Sequence, residues 1–253
     1  MEKVFFRKIS ERRMVVMKGW YGHLYDDFPF ELFSVSHLIM IGILIIGGIF
    51  LVIFRNCIQM IRGIFQSVFF VLLLGFEVMY HYWMYKDGLW DASFMLPFHL
   101  CSISLVLCLL LLITKWEFVF QVVYFFGMIG ALMAIVTPEL FIGYPHFRYF
   151  HFFVTHILII WTCLYFVLVH QYKPTKKGMV LSFVFLNSSA VLAWIVNVYT
   201  GGNYMFLAYK PENGSLLDYL GPYPYYILVL EAVAFFLFFV LLMPFRWKKG
   251  KKG

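Results

Sequence analysis

The sequence predicts an all-α fold, a polytopic membrane helical bundle with seven transmembrane helices. Of its 253 residues, 63% are hydrophobic and 13% are charged, which is too apolar for a soluble domain of average composition. Windows of about 20 apolar residues, the length needed to cross roughly 30 Å of hydrocarbon, occur seven times along the chain. Each window must be helical, because an isolated strand in lipid would leave its backbone polar groups unpaired.

The seven predicted spans follow one another without a second soluble domain between them. The first begins at Ser34 after a charged segment, and the third begins at Ser93, with Pro97 close to its start. The chain therefore divides into a basic arm (1–33), a transmembrane domain (34–244) and a basic tail (245–253). The arm forms either an interfacial amphipathic helix or a solvated leader. The spans cover residues 34–54, 63–83, 93–113, 117–137, 149–170, 178–199 and 223–244.

Basic residues are distributed unequally between the two sides of the predicted bundle. The loops after spans 2, 4 and 6 hold only Lys86, Arg148 and Lys210, whereas the other loops and the tail hold eleven basic residues. The positive-inside rule therefore predicts a multi-pass protein of the cell membrane with a cytoplasmic C-terminus. An odd number of spans then places the N-terminus outside. The eleven residues are Arg55, Arg62, Lys115, Lys173, Lys176, Lys177, Arg246, Lys248, Lys249, Lys251 and Lys252.

The net charge of +7 is not accompanied by any nucleic-acid-binding motif. In a membrane protein such a basic surplus attracts anionic lipid head groups, so we predict membrane phospholipids as partners and no nucleic acid. The four cysteines lie in or beside spans and form neither a C-x-x-C pair nor a disulfide framework. We predict no cofactor and no metal site.

Polar and ionisable residues fall mainly in the outer halves of the predicted spans, whereas Leu, Ile, Val and Phe dominate the inner halves. Because ionisable groups in lipid are costly and usually functional, this pattern predicts one polar cavity that opens outward. Glu77 and His81 lie one turn apart on one helix face, so a simple ion pair on the helix surface is an alternative interpretation.

Cys101 and His156 are the candidate catalytic residues. With helix starts at Ser93 and Tyr149, both lie roughly 10–12 Å below the outer boundary, so they can meet. A thiol near the start of a helix feels the positive end of its dipole, and a neighbouring imidazole activates it further as a nucleophile. The alternatives are a cysteine that is simply a small buried hydrophobe and histidines that bind haem or zinc.

Seven short motifs, taken in order, carry a resemblance to a known family. They resemble the bacterial YwaF family of integral membrane proteins, which looks related to a eukaryotic transmembrane acyltransferase that remodels ether phospholipids through a cysteine. By this resemblance Cys101 matches the nucleophile and His156 its histidine partner. The motifs are Leu96-Pro97-Phe98-His99-Leu100-Cys101-Ser102, Thr137-Pro138, Phe152-Phe153-Val154-Thr155-His156, Gly202-Asn203-Tyr204-Met205-Phe206-Leu207, Lys210-Pro211, Leu216-Leu217-Asp218 and Gly221-Pro222-Tyr223-Pro224-Tyr225-Tyr226.

Together these observations predict a membrane-embedded acyltransferase that moves a fatty acyl chain to or from a phospholipid or related lipid in the outer half of the bilayer. The alternatives are a transporter or lipid-binding protein with an outward-facing cavity, and a metal-dependent membrane lipid hydrolase. No internal repeat is visible in the sequence, which counts against transport. The candidate substrate-binding residues are His99, Thr137, His151, Asn197, Asn203, Tyr204, Glu77 and Glu231.

Overall fold

The fold is an all-α bundle, seen in a computed structural model that describes residues 20–22, 27–211 and 216–246. Most of the basic arm, where either an amphipathic helix or a solvated leader is predicted, and tail residues 247–253 lie outside the described residues. The helices are α1 (Val35–Ile53), α2 (Arg55–Met60), α3 (Arg62–Lys86), α4 (Leu100–Thr114), α5 (Glu117–Val122), α6 (Met128–Val136), α7 (Phe147–Leu168), α8 (Lys176–Thr200) and α9 (Tyr225–Arg246). A π turn (Val123–Gly127) joins α5 to α6, and 3-10 turns form at Tyr204–Phe206 and Leu216–Leu220.

Six helices are long and apolar enough to cross a membrane, which confirms the polytopic bundle. They are α1, α3, the continuous rod Glu117–Val136, α7, α8 and α9. The seventh apolar helix, α4, has 15 residues and is therefore about 22 Å long, less than the roughly 30 Å thickness of the hydrocarbon. The structure thus supports six full-length spans and one shorter apolar helix.

The predicted third span starts too early. The chain is not helical from Ser93 to His99, and α4 begins at Leu100. Pro97 disfavours helical geometry at the residue before it, and His99 is extended, with φ −72° and ψ 148°. The helix therefore begins only after His99, so Cys101 lies in its first turn.

Local capping sets several of the other helix ends. The Ser34 hydroxyl accepts a hydrogen bond from the His37 amide at the start of α1, and the Thr175 hydroxyl accepts one from the Gly178 amide at the start of α8. Gly201, with φ +68°, ends α8 in the left-handed conformation that glycine adopts without strain.

Helix α7 forms the centre of the bundle. Within its most apolar window 72% of the residues are buried inside the protein, compared with 11% for α3. It packs against α1, α3, α4 and α6, while α9 packs against α8. Helices α1, α3 and α9 thus present most of their apolar side chains to the surroundings, as lipid-facing helices do.

The connecting segments gather at two ends of the bundle. At one end the Tyr204 phenol reaches across to the 91–99 segment, where α4 begins. At the other end the Tyr165 hydroxyl donates to the Arg62 carbonyl, 2.7 Å away. We call the first of these the Cys101 end and the second the opposite end.

Candidate functional site

Cys101 is the second residue of α4, at a helix start that lacks a side-chain cap. The N-cap residue, His99, makes no capping hydrogen bond with its side chain, and its carbonyl accepts from the Ile103 amide at 3.0 Å. Within the described residues, the backbone amides of Leu100, Cys101 and Ser102 have no hydrogen-bond acceptor. A half-buried thiol is therefore placed beside unpaired amides at the positive end of a helix.

Tyr204 holds the segment that leads into this helix. Its phenol donates to the Ala92 carbonyl at 2.6 Å and accepts from the Leu96 amide at 2.9 Å. Its ring lies against the His99 imidazole, with centroids 5.0 Å apart. Burial raises the pKa of Tyr204 to about 12, so the phenol stays protonated and keeps both hydrogen bonds.

Two asparagines in turn hold Tyr204 and its loop. The Asn197 side chain accepts from the Tyr204 amide at 2.7 Å and donates to its carbonyl at 3.1 Å. The Asn203 side chain accepts from the amides of Ala208 and Tyr209 at 2.9 and 3.2 Å. Three residues predicted to bind substrate thus organise the loop that supports α4, and their substrate contacts stay predictions.

A close approach of helices also fixes the start of α4. A Cβ added at Gly130 of α6 would overlap the Leu100 side chain, so glycine allows the two helices to meet there. In the supporting loop, a Cβ added at Gly202 would overlap the Ser93 carbonyl oxygen. The contact of Gly202 with backbone requires glycine for space, whereas at Gly130 the end of the Leu100 side chain would have to move; both contacts bear on the segment that carries Cys101.

His156 lies buried in α7, the helix against which α4 packs. Its Nδ1–H donates to the Phe152 carbonyl at 2.6 Å, which leaves Nε2 as the basic nitrogen. No hydrogen bond joins His156 to Cys101 within the described part of the chain. Cys101 is the second residue of α4 and His156 the tenth of α7, so the predicted equal depth, which relied on other helix starts, is not reproduced.

A separate polar network connects α3 with α7 at the Cys101 end, and we call it the Glu77 network. The Trp90 indole donates to His81 Nδ1 at 3.1 Å, and His81 Nε2 lies 3.3 Å from Glu77 Oε1. His151 Nε2 lies 3.2 Å from Glu77 Oε2, and Arg148 Nη1 donates to His151 Nδ1 at 3.0 Å. The Glu77–His81 pair expected from their spacing is present, and Glu77 also reaches the predicted residue His151.

Arg148 and Trp90 are the members of this network that the sequence analysis did not predict, and Arg148 is the charged one. Its guanidinium lies over the rings of Tyr80 and Phe152, 4.9 and 5.7 Å from their centroids. Its Nη1 also donates to His151 Nδ1, so it contacts one of the predicted histidines directly. Arg148 and His151 are three residues apart, and on a helix this spacing puts two side chains on the same face. The contact between them could have been predicted from that spacing.

Two predicted site residues make hydrogen bonds outside these groups. The Thr137 hydroxyl, at the end of α6, donates to the Met133 carbonyl at 3.0 Å. Glu231 of α9 accepts from the Asn187 side chain of α8 at 3.0 Å. The hydrogen bonds of the described residues therefore place the predicted residues in several groups, and a single polar cavity that joins these groups stays a prediction.

The arrangement of donors around Glu77 does not suit a metal ion. Nδ1 of His81 and Nδ1 of His151 each accept a hydrogen bond, so in both rings the proton is on Nε2 and faces a Glu77 oxygen. A protonated ring nitrogen has no lone pair with which to bind a metal ion. Among the described residues, no group of three His, Cys, Asp or Glu side chains is placed to hold a metal ion.

Comparison with known proteins identifies the family. An uncharacterized protein of Treponema pallidum (strain Nichols) is 30% identical over 154 residues, which is 60% of this chain and 62% of the length of that relative. No solved structure matches the chain. The resemblance to the YwaF family stays a prediction. Residues 32–242 match the TMEM164 family, and because this match covers most of the protein, the chain belongs to that family.

Proposed function

We propose that the protein is an acyltransferase that carries a fatty acyl chain on Cys101 between membrane lipids. The observation that carries this proposal is the placement of the Cys101 thiol beside the unpaired amides of Leu100, Cys101 and Ser102 at the start of α4. Amides in that position stabilise the oxyanion that forms when a nucleophile attacks an ester. Membership of the TMEM164 family and the apolar helices that surround the site agree with a lipid substrate.

In the proposed reaction, the Cys101 sulfur attacks the carbonyl carbon of an acyl ester while its proton passes to Nε2 of His156. The oxyanion forms facing the amides at the start of α4. The ester C–O bond then breaks, and the leaving alkoxide takes the proton back from His156, which leaves an acyl thioester on Cys101. A hydroxyl of a second lipid attacks the thioester in the reverse sequence and regenerates the thiol.

This mechanism requires the Cys101 sulfur and His156 Nε2 to approach each other when lipid is bound. Catalytic hydrogen bonds that are absent from an unliganded protein often form only in the substrate complex. The hydrogen bond from His156 Nδ1 to the Phe152 carbonyl supports the role of base, since it keeps the proton on Nδ1 and the lone pair on Nε2.

Intact-mass analysis of the purified protein after incubation with mixed phospholipids tests the proposal. We expect a hydroxylamine-sensitive acyl adduct on the wild type and none on Cys101→Ser. His156→Gln should slow adduct formation by about 100-fold or more, the usual contribution of a general base. Cys57→Ser is the matched control, because it removes an exposed thiol at the opposite end and should leave the adduct unchanged.

A wild-type protein that turns over no lipid and carries no adduct would overturn acyl transfer and favour a lipid-binding or transport role. An adduct that persists in Cys101→Ser would instead move the nucleophile to another residue.

A further inference from the structure

A recess on the surface of α3 includes Glu77, His81 and Trp90 of the Glu77 network. It has a volume of about 490 Å³ and is lined by Glu77, Val78, His81, Tyr82, Tyr85 and Trp90. Five of these residues follow each other along one face of the last turns of α3, and Trp90 folds back onto them from the next segment. The recess is open, so a molecule alongside the bundle can enter it from the surroundings.

The polar group in this recess is a carboxylate with remaining capacity to accept hydrogen bonds. The Glu77 side chain is 22% exposed, and each of its oxygens faces a single imidazole nitrogen, at 3.3 and 3.2 Å. Because a carboxylate oxygen has two lone pairs, each oxygen can accept a further donor from the recess. A cationic ligand matches this carboxylate in charge.

The rest of the recess is built from aromatic rings. Tyr82, Tyr85 and Trp90 are 65%, 76% and 41% exposed, so their faces are accessible. The Trp90 ring is held in place by its hydrogen bond to His81 Nδ1 at 3.1 Å. Aromatic faces beside a carboxylate attract ammonium groups, including quaternary ones, through cation–π interactions.

An apolar stripe continues from the recess along the same helix. Val78, Leu74 and Val71 are 57%, 40% and 64% exposed and lie at successive turns of α3. This stripe suits an acyl chain that runs alongside the helix from a head group held in the recess. A soluble amine would leave the stripe unused, so the surface favours a lipid ligand.

We propose that the recess binds a phospholipid with an ammonium head group, which contacts Glu77 and the rings of Tyr82, Tyr85 and Trp90. The acyl chains of this lipid lie along Val71, Leu74 and Val78. The site goes beyond the proposed acyl transfer and does not depend on it, because it requires only binding and none of its residues is Cys101 or His156.

Native mass spectrometry of the detergent-purified protein tests this site with two lipids of identical acyl chains, phosphatidylcholine and phosphatidylglycerol. We expect the wild type to retain phosphatidylcholine at least about fivefold better, the effect of one cation–π contact of roughly 1 kcal/mol. Glu77→Gln and the pair Tyr82→Ala with Tyr85→Ala should each abolish this preference. Because the two tyrosines are exposed, we expect the double variant to fold, so it tests the site even if Glu77→Gln unfolds the protein.

Glu117→Gln is the matched control, because it removes an exposed carboxylate at the start of α5 that lies outside the recess. It should keep the lipid preference of the wild type, and so should Cys101→Ser, which separates this proposal from acyl transfer. Equal retention of the two lipids by the wild type would overturn the proposal and leave an ordinary aromatic belt. Displacement of phosphatidylcholine by choline chloride at equal concentration would also overturn it, in favour of a site for a free amine.

Discussion

At the scale of single residues, His151 lies between two charged side chains, those of Glu77 and Arg148. Arg148 donates to its Nδ1, so the ring proton lies on Nε2 and faces Glu77. The carboxylate and the guanidinium are thus joined through one neutral imidazole whose orientation both of them fix. Removing one of the two charges leaves the other without its partner, and because the Glu77 side chain is 22% exposed, we expect a cost below the roughly 3–5 kcal/mol of a fully buried pair.

A double-mutant cycle between Glu77→Gln and Arg148→Gln tests this coupling. We expect a coupling free energy of roughly 1–3 kcal/mol, measured by reversible unfolding in mixed detergent micelles. The coupling should fall near zero when His151→Phe is present, since phenylalanine keeps the ring stacked on Tyr80 but removes both nitrogens. Glu77→Gln with Glu231→Gln is the control pair and should be additive. A coupling that survives in the His151→Phe background would contradict the mediating role of the imidazole.

Residue spacing predicted the contacts within one helix better than the contacts between helices. The Glu77–His81 pair follows from positions four apart on α3, and the structure shows it. The contact between Glu77 and His151 joins residues 74 positions apart, and its geometry depends on how α3 and α7 pack. Arg148 was missed because it was counted only as a basic residue in a loop, while the structure places it in the first turn of α7.

At the scale of single elements, the start of α4 is the feature on which the candidate site depends most. Two surrounding elements determine it: the loop after α8, through Tyr204, and helix α6, through the close contact at Gly130. Hydropathy alone placed this start at Ser93, because the residues from Ser93 to Leu100 are themselves largely apolar. The loop contacts that compete with helix formation there come from a distant part of the chain.

Tyr204→Phe should loosen the start of α4 and expose Cys101. The variant loses the hydrogen bonds to Ala92 and Leu96, and at roughly 0.5–1.5 kcal/mol for each of the two bonds we expect maleimide to modify Cys101 about five- to 150-fold faster. The measurement uses a Cys57→Ser background, because Cys108 and Cys163 are buried and react slowly. Tyr199→Phe, at an 86% exposed position on α8, is the control and should leave the rate unchanged. An unchanged rate in Tyr204→Phe would mean that the phenol does not hold the helix start.

For the whole molecule, the apolar windows located six long helices because length and hydropathy are properties of contiguous sequence. The helices Val35–Ile53, Phe147–Leu168 and Lys176–Thr200, for example, differ by only one or two residues at each end from the predicted spans. The grouping of polar residues was harder to predict, since a window gives depth along a helix but not which helices are neighbours. Thr137 and Glu231 therefore belonged to the predicted site by depth, and in the structure they hydrogen-bond to Met133 and Asn187.

The two ends of the bundle also allow the predicted orientation to be tested. Eleven basic residues of the predicted inner loops and tail oppose three in the loops of the other side, and the six of the basic arm lie about 15 residues or more from the first span, so we expect the Cys101 end to face outward. In a Cys101→Ser background, an impermeant maleimide should label Tyr219→Cys in intact cells, because Tyr219 is 87% exposed beside the start of α9. Native Cys57 and Lys173→Cys, at exposed positions of the opposite end, should react only after permeabilisation. Labelling of Cys57 in intact cells would reverse the orientation, and with it the leaflet from which the proposed enzyme takes its lipid.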